Sequence, residues 1–259
     1  MTDIVALHHV DEGAPDAPPV LLGASLGTTH AMWDELAADL ARDFRVVRFD
    51  TRGHGASPAP ASAYTVAGLA DDVAGLADSL GLDRFAYVGL SLGGAIGQVL
   101  GIEHRDRLTS LVLCCTAPVF GSPDTWHERA AQVRSEGVEG LVDATVERWF
   151  TPTYRTAHPD RVAWVMDMFR ATPPVGYAGC CDALAGYDVS EQLSAITAPT
   201  LVVAGADDPG TPPSVGAAMV ESIPGARLEV VDDAAHMANV AQPEAFNSVV
   251  RKHLAGTMS

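Results

Sequence analysis

At 259 residues the chain is long enough to enclose a sheet and a sheltered pocket, and too short for two large domains. Its 47% hydrophobic share falls in short runs broken by Gly, Pro or charge, which excludes a transmembrane helix of about twenty apolar residues. A formal charge of -17, with 16 basic residues against 33 acidic ones and no basic block, excludes nucleic acid as a partner and repels small anions at long range.

The start, Met1-Thr2-Asp3-Ile4-Val5, has neither the basic residues nor the apolar run of a leader, so a cytoplasmic protein with no membrane partner is expected. Strand-like and helix-like segments then alternate. The spacing predicts strands over 4–9, 20–23, 45–49, 85–89 and 109–114, with 13–19 a loop by composition. A helix over 32–40 would place Trp33, Leu36 and Leu40 on one face. Thr65 can cap another, whose apolar positions Val66, Leu69, Val73, Leu76 and Leu80 step by three and four and end at Gly81. After Pro118 the alternation stops, and the stretch to about Ser194 reads as several helices. Strands resume over 200–204 and 227–231, followed by a closing helix over 243–254. This predicts an α/β protein with a mostly parallel sheet flanked by helices. Residues 1–117 and 195–259 form its core, and 118–194 an inserted helical cap over the strands' C-terminal ends, where open α/β sheets bind ligands.

The four cysteines form two adjacent pairs, Cys114-Cys115 and Cys180-Cys181. That layout suits neither a disulfide framework nor a CxxC zinc site, so buried reduced thiols are expected.

Gly89-Leu90-Ser91-Leu92-Gly93 lies directly between a predicted strand and a predicted helix. A serine on so sharp a turn needs neighbours without bulky side chains, which Gly89 and Gly93 supply, and the Leu92 N–H at the helix start can face a developing oxyanion. The competing reading is a glycine-rich helix start with an incidental serine. In its strand–helix context the pentapeptide resembles the nucleophile elbow of the α/β-hydrolase fold, which expects an acid and then a histidine further along. Two aspartates compete for the acid, after the strand over 200–204. Asp208 has the spacing usual in such hydrolases, with Gly205 before it and Pro212 four residues beyond. Asp207 reads as a solvated loop residue. After the last strand comes His236, among small residues, as the expected base, with Asp208 fixing its tautomer.

Asp50-Thr51-Arg52-Gly53-His54-Gly55-Ala56-Ser57 resembles the D-x-R-G-x-G-x-S loop common in α/β-hydrolases and reads as scaffold, with Asp50 and Arg52 expected as a buried pair. The loop Ala24-Ser25-Leu26-Gly27-Thr28 is expected to supply the second oxyanion N–H from Ser25.

The resemblance narrows to the 3-oxoadipate enol-lactonases. It is carried by Ser25-Leu26-Gly27-Thr28 with Met32-Trp33-Asp34, by Gly89 to Gln98, by Glu147-Arg148-Trp149-Phe150-Thr151 and Gly176-Tyr177-Ala178-Gly179-Cys180-Cys181, and by the tail segments around Asp208 and His236. One departure is a start where relatives usually have an additional strand, which would trim the sheet edge. The resemblance implies hydrolysis of a small anionic lactone by Ser91, His236 and Asp208, with no metal or organic cofactor. The substrate's free carboxylate needs a local cation, and Arg129, Arg134 and Arg148 are the candidates, beside Trp126 and Trp149 as cap walls. The same apparatus would serve a carboxylesterase or a carbon–carbon bond hydrolase. A non-catalytic small-molecule receptor on this scaffold is the reading from another class. Dehalogenase and epoxide hydrolase chemistry is disfavoured because those elbows carry Asp at the position of Ser91.

Overall fold

The computed structural model of the protein describes residues 4–257; residues 1–3, part of the stretch read above for a leader, and 258–259 lie outside the described residues. Seven strands form one sheet: β1 (His9–Glu12), β2 (Pro19–Gly23), β3 (Arg45–Phe49), β4 (Phe85–Leu90), β5 (Leu108–Cys114), β6 (Thr200–Gly205) and β7 (Arg227–Val231). Their order is β1-β3-β2-β4-β5-β6-β7, with β1 antiparallel to β3 and every other pairing parallel. Every residue of β4 and β6 is buried, as expected of strands covered on both faces.

Six strands form within a residue of the predicted bounds, and the first does not. Residues 4–8 run extended but pair with no strand: the Val5 N–H donates to Asp72 Oδ1 and the His8 N–H to Ser57 Oγ, so side chains take the donors a ladder would have used.

The helices of the core are α1 (Asp34–Leu40), α2 (Val66–Ser79) and α3 (Leu92–Glu103). A 3₁₀ turn, His30–Trp33, precedes α1 where one continuous helix was expected. In α2 the Thr65 hydroxyl accepts from the Gly68 N–H, and Gly81 takes a positive φ of 69°, matching the start and stop signals read in the sequence. Between β5 and β6 come α4 (Pro123–Glu136), α5 (Val142–Trp149), α6 (Pro152–Ala157), α7 (Pro159–Arg170) and α8 (Pro174–Ala185). Four of these five begin on proline, whose fixed φ and missing N–H suit a first helical position. α9 (Pro213–Ser222), α10 (Ala238–Ala241) and α11 (Pro243–Thr257) complete the chain.

The sheet is covered on both faces. Gly97 and Gly101 of α3 approach Leu113 and Leu111 of β5, whereas His253 of α11 bonds to Ser110 of the same strand. Alternate strand residues point to opposite faces, so the two helices lie on opposite sides. The chain runs from β2 outward to β3 and then crosses back to β4, which makes the gap between β2 and β4 the switch point where the loops after both strands meet. All four cysteines are buried free thiols. No helix of the described residues is long and apolar enough to cross a membrane.

Candidate active site

Ser91 follows β4 and is the residue before α3, with φ 57° and ψ -110°. This left-handed backbone is costly for a residue with a side chain and is held by its neighbours: the Ser91 N–H donates to Cys114 O at 2.9 Å, and the Thr116 hydroxyl donates to Ser91 O at 2.9 Å. A Cβ on Gly89 would lie 2.2 Å from Gly93 O, and one on Gly93 would lie 2.1 Å from Gly23 O, so both glycines are required for the elbow to sit against β2.

His236 and Asp208 come from the loops after β7 and β6, and His236 Nδ1 lies 2.7 Å from Asp208 Oδ2. Asp208 Oδ1 accepts from the Gly210 N–H at 2.9 Å and the Thr211 N–H at 3.2 Å, while Oδ2 also accepts the Thr211 hydroxyl at 2.6 Å. Burial pushes this carboxyl up, but the attraction of His236 and the hydrogen bonds from His236, Thr211 and Gly210 outweigh it and hold the pKa at about 2. Asp208 is therefore an anion at neutral pH, so the imidazole proton sits on Nδ1 and leaves the Nε2 lone pair available as a base. Asp207 is exposed, and its N–H is used on Ala234 O. Asp208, the aspartate with Gly205 before it and Pro212 after it, is the one that the fold buries.

Ser91 and His236 line one cavity of about 80 Å³, together with Ser25, Leu26, Phe120, Trp126, Arg148, Trp149, Tyr177, Leu184 and Thr211. That volume corresponds to roughly five to eight water-sized positions, suited to a compact ligand. A larger cleft of about 570 Å³, lined by acidic residues such as Glu147, Asp207 and Asp233, includes neither Ser91 nor His236.

The cavity's roof comes from the helical insert. The Trp149 ring stacks near the His236 ring, centroids 6.4 Å apart at 24°, and its backbone carbonyl accepts the Met237 N–H. Trp126 donates its indole N–H to Phe120 O and carries the Arg129 guanidinium 5.0 Å over its ring. Arg148 lines the cavity, half-buried, with no acidic side chain paired to it among the described residues. Burial, and then the like charge of Arg129, lowers its pKa from the ordinary guanidinium value, against the attraction of Tyr177 and Asp208, so the site presents a guanidinium that no carboxylate of the described residues bonds directly.

Residues 18–243 match the family described as alpha/beta hydrolase fold. The chain is 38% identical to 3-oxoadipate enol-lactonase 2 of Acinetobacter baylyi, over 95% of this chain and 92% of that one. The crystal structure of the enol-lactonase from Burkholderia xenovorans superposes with a TM-score of 0.94 at 39% identity, covering 97% of each chain. The chain belongs to the 3-oxoadipate enol-lactonase family of α/β-hydrolases. It is a hydrolase. An esterase of this fold, from Thermogutta terrifontis and with malate bound, also superposes at 0.94, with 31% identity over 98% of this chain and 95% of that one.

In this enol-lactonase-family member several expected residues stand elsewhere. The Ser25 N–H is directed at Met32 Sδ, 3.3 Å away, rather than into the cavity. The next residue, Leu26, lines the cavity, and its N–H meets no acceptor among the described residues; nor does the N–H of Leu92, next to the cavity residue Ser91, whereas that of Gly93 is used on Ala24 O. The offset of one residue arises because the chain turns at Ser25, whose carbonyl accepts both the N–H and the hydroxyl of Thr28. Arg134 pairs with Asp182 and is half exposed, so it takes no part in the cavity; one residue past the Arg129 turn rotates it toward α8. Arg129 stacks on Trp126 and does not line the cavity directly, though its charge reaches Tyr177 and Arg148. Among the described residues no Asp50–Arg52 pair forms. Arg52 instead forms a buried bidentate pair with Asp72 of α2 at 2.6 and 2.7 Å, while Asp50 bonds to His8, His30 and Ala56. Tyr177 and Thr211 are cavity residues that no sequence motif marked with a role, although Thr211 sits one position before the proline that marked Asp208.

Proposed function

We propose that the protein opens the ring of 3-oxoadipate enol-lactone with water to give 3-oxoadipate, residues 118–194 acting as a cap over the core. The observation that carries this reading is one small cavity lined by Ser91, His236 and Arg148, with Asp208 bonded to His236 behind it. Ser91 attacks the lactone carbonyl as its proton passes to His236 Nε2, and Asp208 stabilises the imidazolium. The N–H groups of Leu92 and Leu26 receive the oxyanion. Collapse breaks the ring C–O bond; the departing enol oxygen takes the proton from His236, and the enol becomes a ketone. Water then gives a proton to His236 and attacks the acyl-enzyme, and Ser91 recovers its hydrogen. Arg148 grips the carboxylate that does not react, in a bidentate contact that offsets the repulsion from the chain's net charge.

The test is steady-state kinetics on enzymatically generated enol-lactone beside a neutral aryl acetate. The expected result is a strong preference for the lactone, with Arg148→Ala raising KM for the lactone by about tenfold or more, the scale of a charge-assisted hydrogen bond, and leaving the neutral ester unchanged. Equal efficiency on both substrates would favour the esterase reading that the Thermogutta relative supports. An Arg148→Ala variant with unaltered lactone KM would remove the carboxylate contact.

A further inference from the structure

Away from this cavity, the described residues contain one group of three side chains able to ligate a metal: His8, His30 and Asp50. Their ligand atoms all lie within 4.8 Å of one another. Asp50, just past β3, is buried, with Oδ2 3.0 Å from His8 Nδ1 and Oδ1 2.9 Å from His30 Nδ1. The His8 side chain is 42% exposed and that of His30 21%, so the group is closed at the carboxylate and open at the imidazoles. The two rings, 5.3 Å apart and inclined at 52°, approach the carboxylate from different directions.

The main chain holds this arrangement independently of the imidazoles. Asp50 Oδ1 accepts the His30 N–H at 2.8 Å and Oδ2 the Ala56 N–H at 3.0 Å. The Asp50 N–H donates to His8 O at 2.9 Å, and the His8 N–H to Ser57 Oγ at 2.9 Å. Three segments far apart in the chain are thereby fixed around one carboxylate before any imidazole contact is counted.

We propose that His8, His30 and Asp50 bind a divalent transition-metal ion, Zn²⁺ being the ion that two imidazoles and one carboxylate suit, with water completing a four-coordinate shell on the exposed side. Ligand bonds of about 2.0–2.2 Å to a tetrahedral Zn²⁺ set neighbouring ligand atoms about 3.3 Å apart. The existing N···O separations, 3.0 and 2.9 Å to the two Asp50 oxygens, are only a few tenths of an ångström shorter, and all the ligand atoms lie within 4.8 Å of one another, so closure around the ion draws the two rings toward a shared position beside the carboxylate. Without the ion, each ring's Nδ1–H donates to an Asp50 oxygen. Binding moves each ring proton from Nδ1 to Nε2, replaces the two Nδ1–H···Asp50 hydrogen bonds with two Nδ1–metal bonds and one Asp50 O–metal bond, and displaces the hydrated ion's waters until one remains. The net charge of -17 attracts a cation from solution. None of the three residues lines the cavity of Ser91 and His236, so the ion would act as a clip joining the N-terminal segment, the 3₁₀ turn and the Asp50 loop.

The experiment uses the full chain carrying no added histidines, stripped with chelator and titrated with Zn²⁺ alone by calorimetry, with Co²⁺ as a spectroscopic probe. The expected result is one saturating equivalent, a rise in Tm, visible Co²⁺ bands of a four-coordinate site, and a loss of affinity on the order of tenfold or more in each of His8→Ala and His30→Ala. His8 is partly exposed, so its variant should fold. Nitrogen NMR of the unaltered protein gives a measurement free of substitution: Zn²⁺ must shift Nδ1 of two histidine rings. No saturable binding, unchanged affinity in both variants, or unshifted Nδ1 signals would each overturn the site.

Discussion

Asp208 keeps its charge where burial opposes it, and its folded pKa of about 2 lies below the ordinary 3.8. A depressed carboxylate contributes stability that is fully present above its unfolded pKa and is lost as pH falls through the folded one, here between about pH 4 and pH 2. Asp50, also held at about 2, adds a dependence of the same sign. Asp208→Asn should lower kcat by about four orders of magnitude, since the amide no longer enforces the Nδ1–H tautomer. In urea titrations at pH 5 and pH 2 the same variant should lose about 2 kcal/mol less than the parent. An unchanged difference would mean that the carboxylate is not held down as described. At this scale the elbow at Ser91 and the bond between Asp208 and His236 were legible because these residues lie one, three and five positions past the ends of β4, β6 and β7. Arg134 and the Ser25 N–H were misread because their direction depends on one residue of helical phase or one turn of loop.

α8 of the helical insert meets the core on a backbone contact. A Cβ on Gly176 would stand 1.9 Å from Gly53 O, and one on Gly53, at φ 78°, 2.4 Å from Gly176 Cα. The helix therefore rests directly on the Asp50–Ser57 loop, while Tyr177 beside the contact lines the cavity. Gly176→Ala should lift α8, costing about 1–3 kcal/mol in urea unfolding and lowering kcat/KM by about an order of magnitude or more through loss of cavity shape. Gly140→Ala, whose new methyl would meet only Gln132 Nε2 at 3.5 Å, should leave both measurements near the parent values. Helix and strand existence was readable from periodicity, but the unpaired 4–8 segment was not. Its apolar pattern is strand-like, and only the positions of Asp72 and Ser57 divert its N–H groups.

Across the whole molecule the charge of -17 acts against the anionic substrate proposed here, while Arg148 acts for it at short range. The long-range field is screened as the Debye length falls from about 30 Å at 0.01 M salt to about 8 Å at 0.15 M, whereas the sheltered guanidinium is screened far less. Over that range kcat/KM for the lactone should rise, and that for a neutral aryl ester should stay level. A fall for the lactone would show that surface charge steers the substrate inward after all.

The sequence by itself determined the alternation that makes a parallel sheet, the elbow, and the order of serine, acid and histidine, because each is written in residues close together in the chain. Only the tertiary structure decided which arginine faces the cavity, that Arg52 belongs to Asp72, and that His8, His30 and Asp50 meet. These are contacts between segments about twenty or more residues apart. Their partners are fixed by how strands and helices pack, a choice that local spacing does not encode.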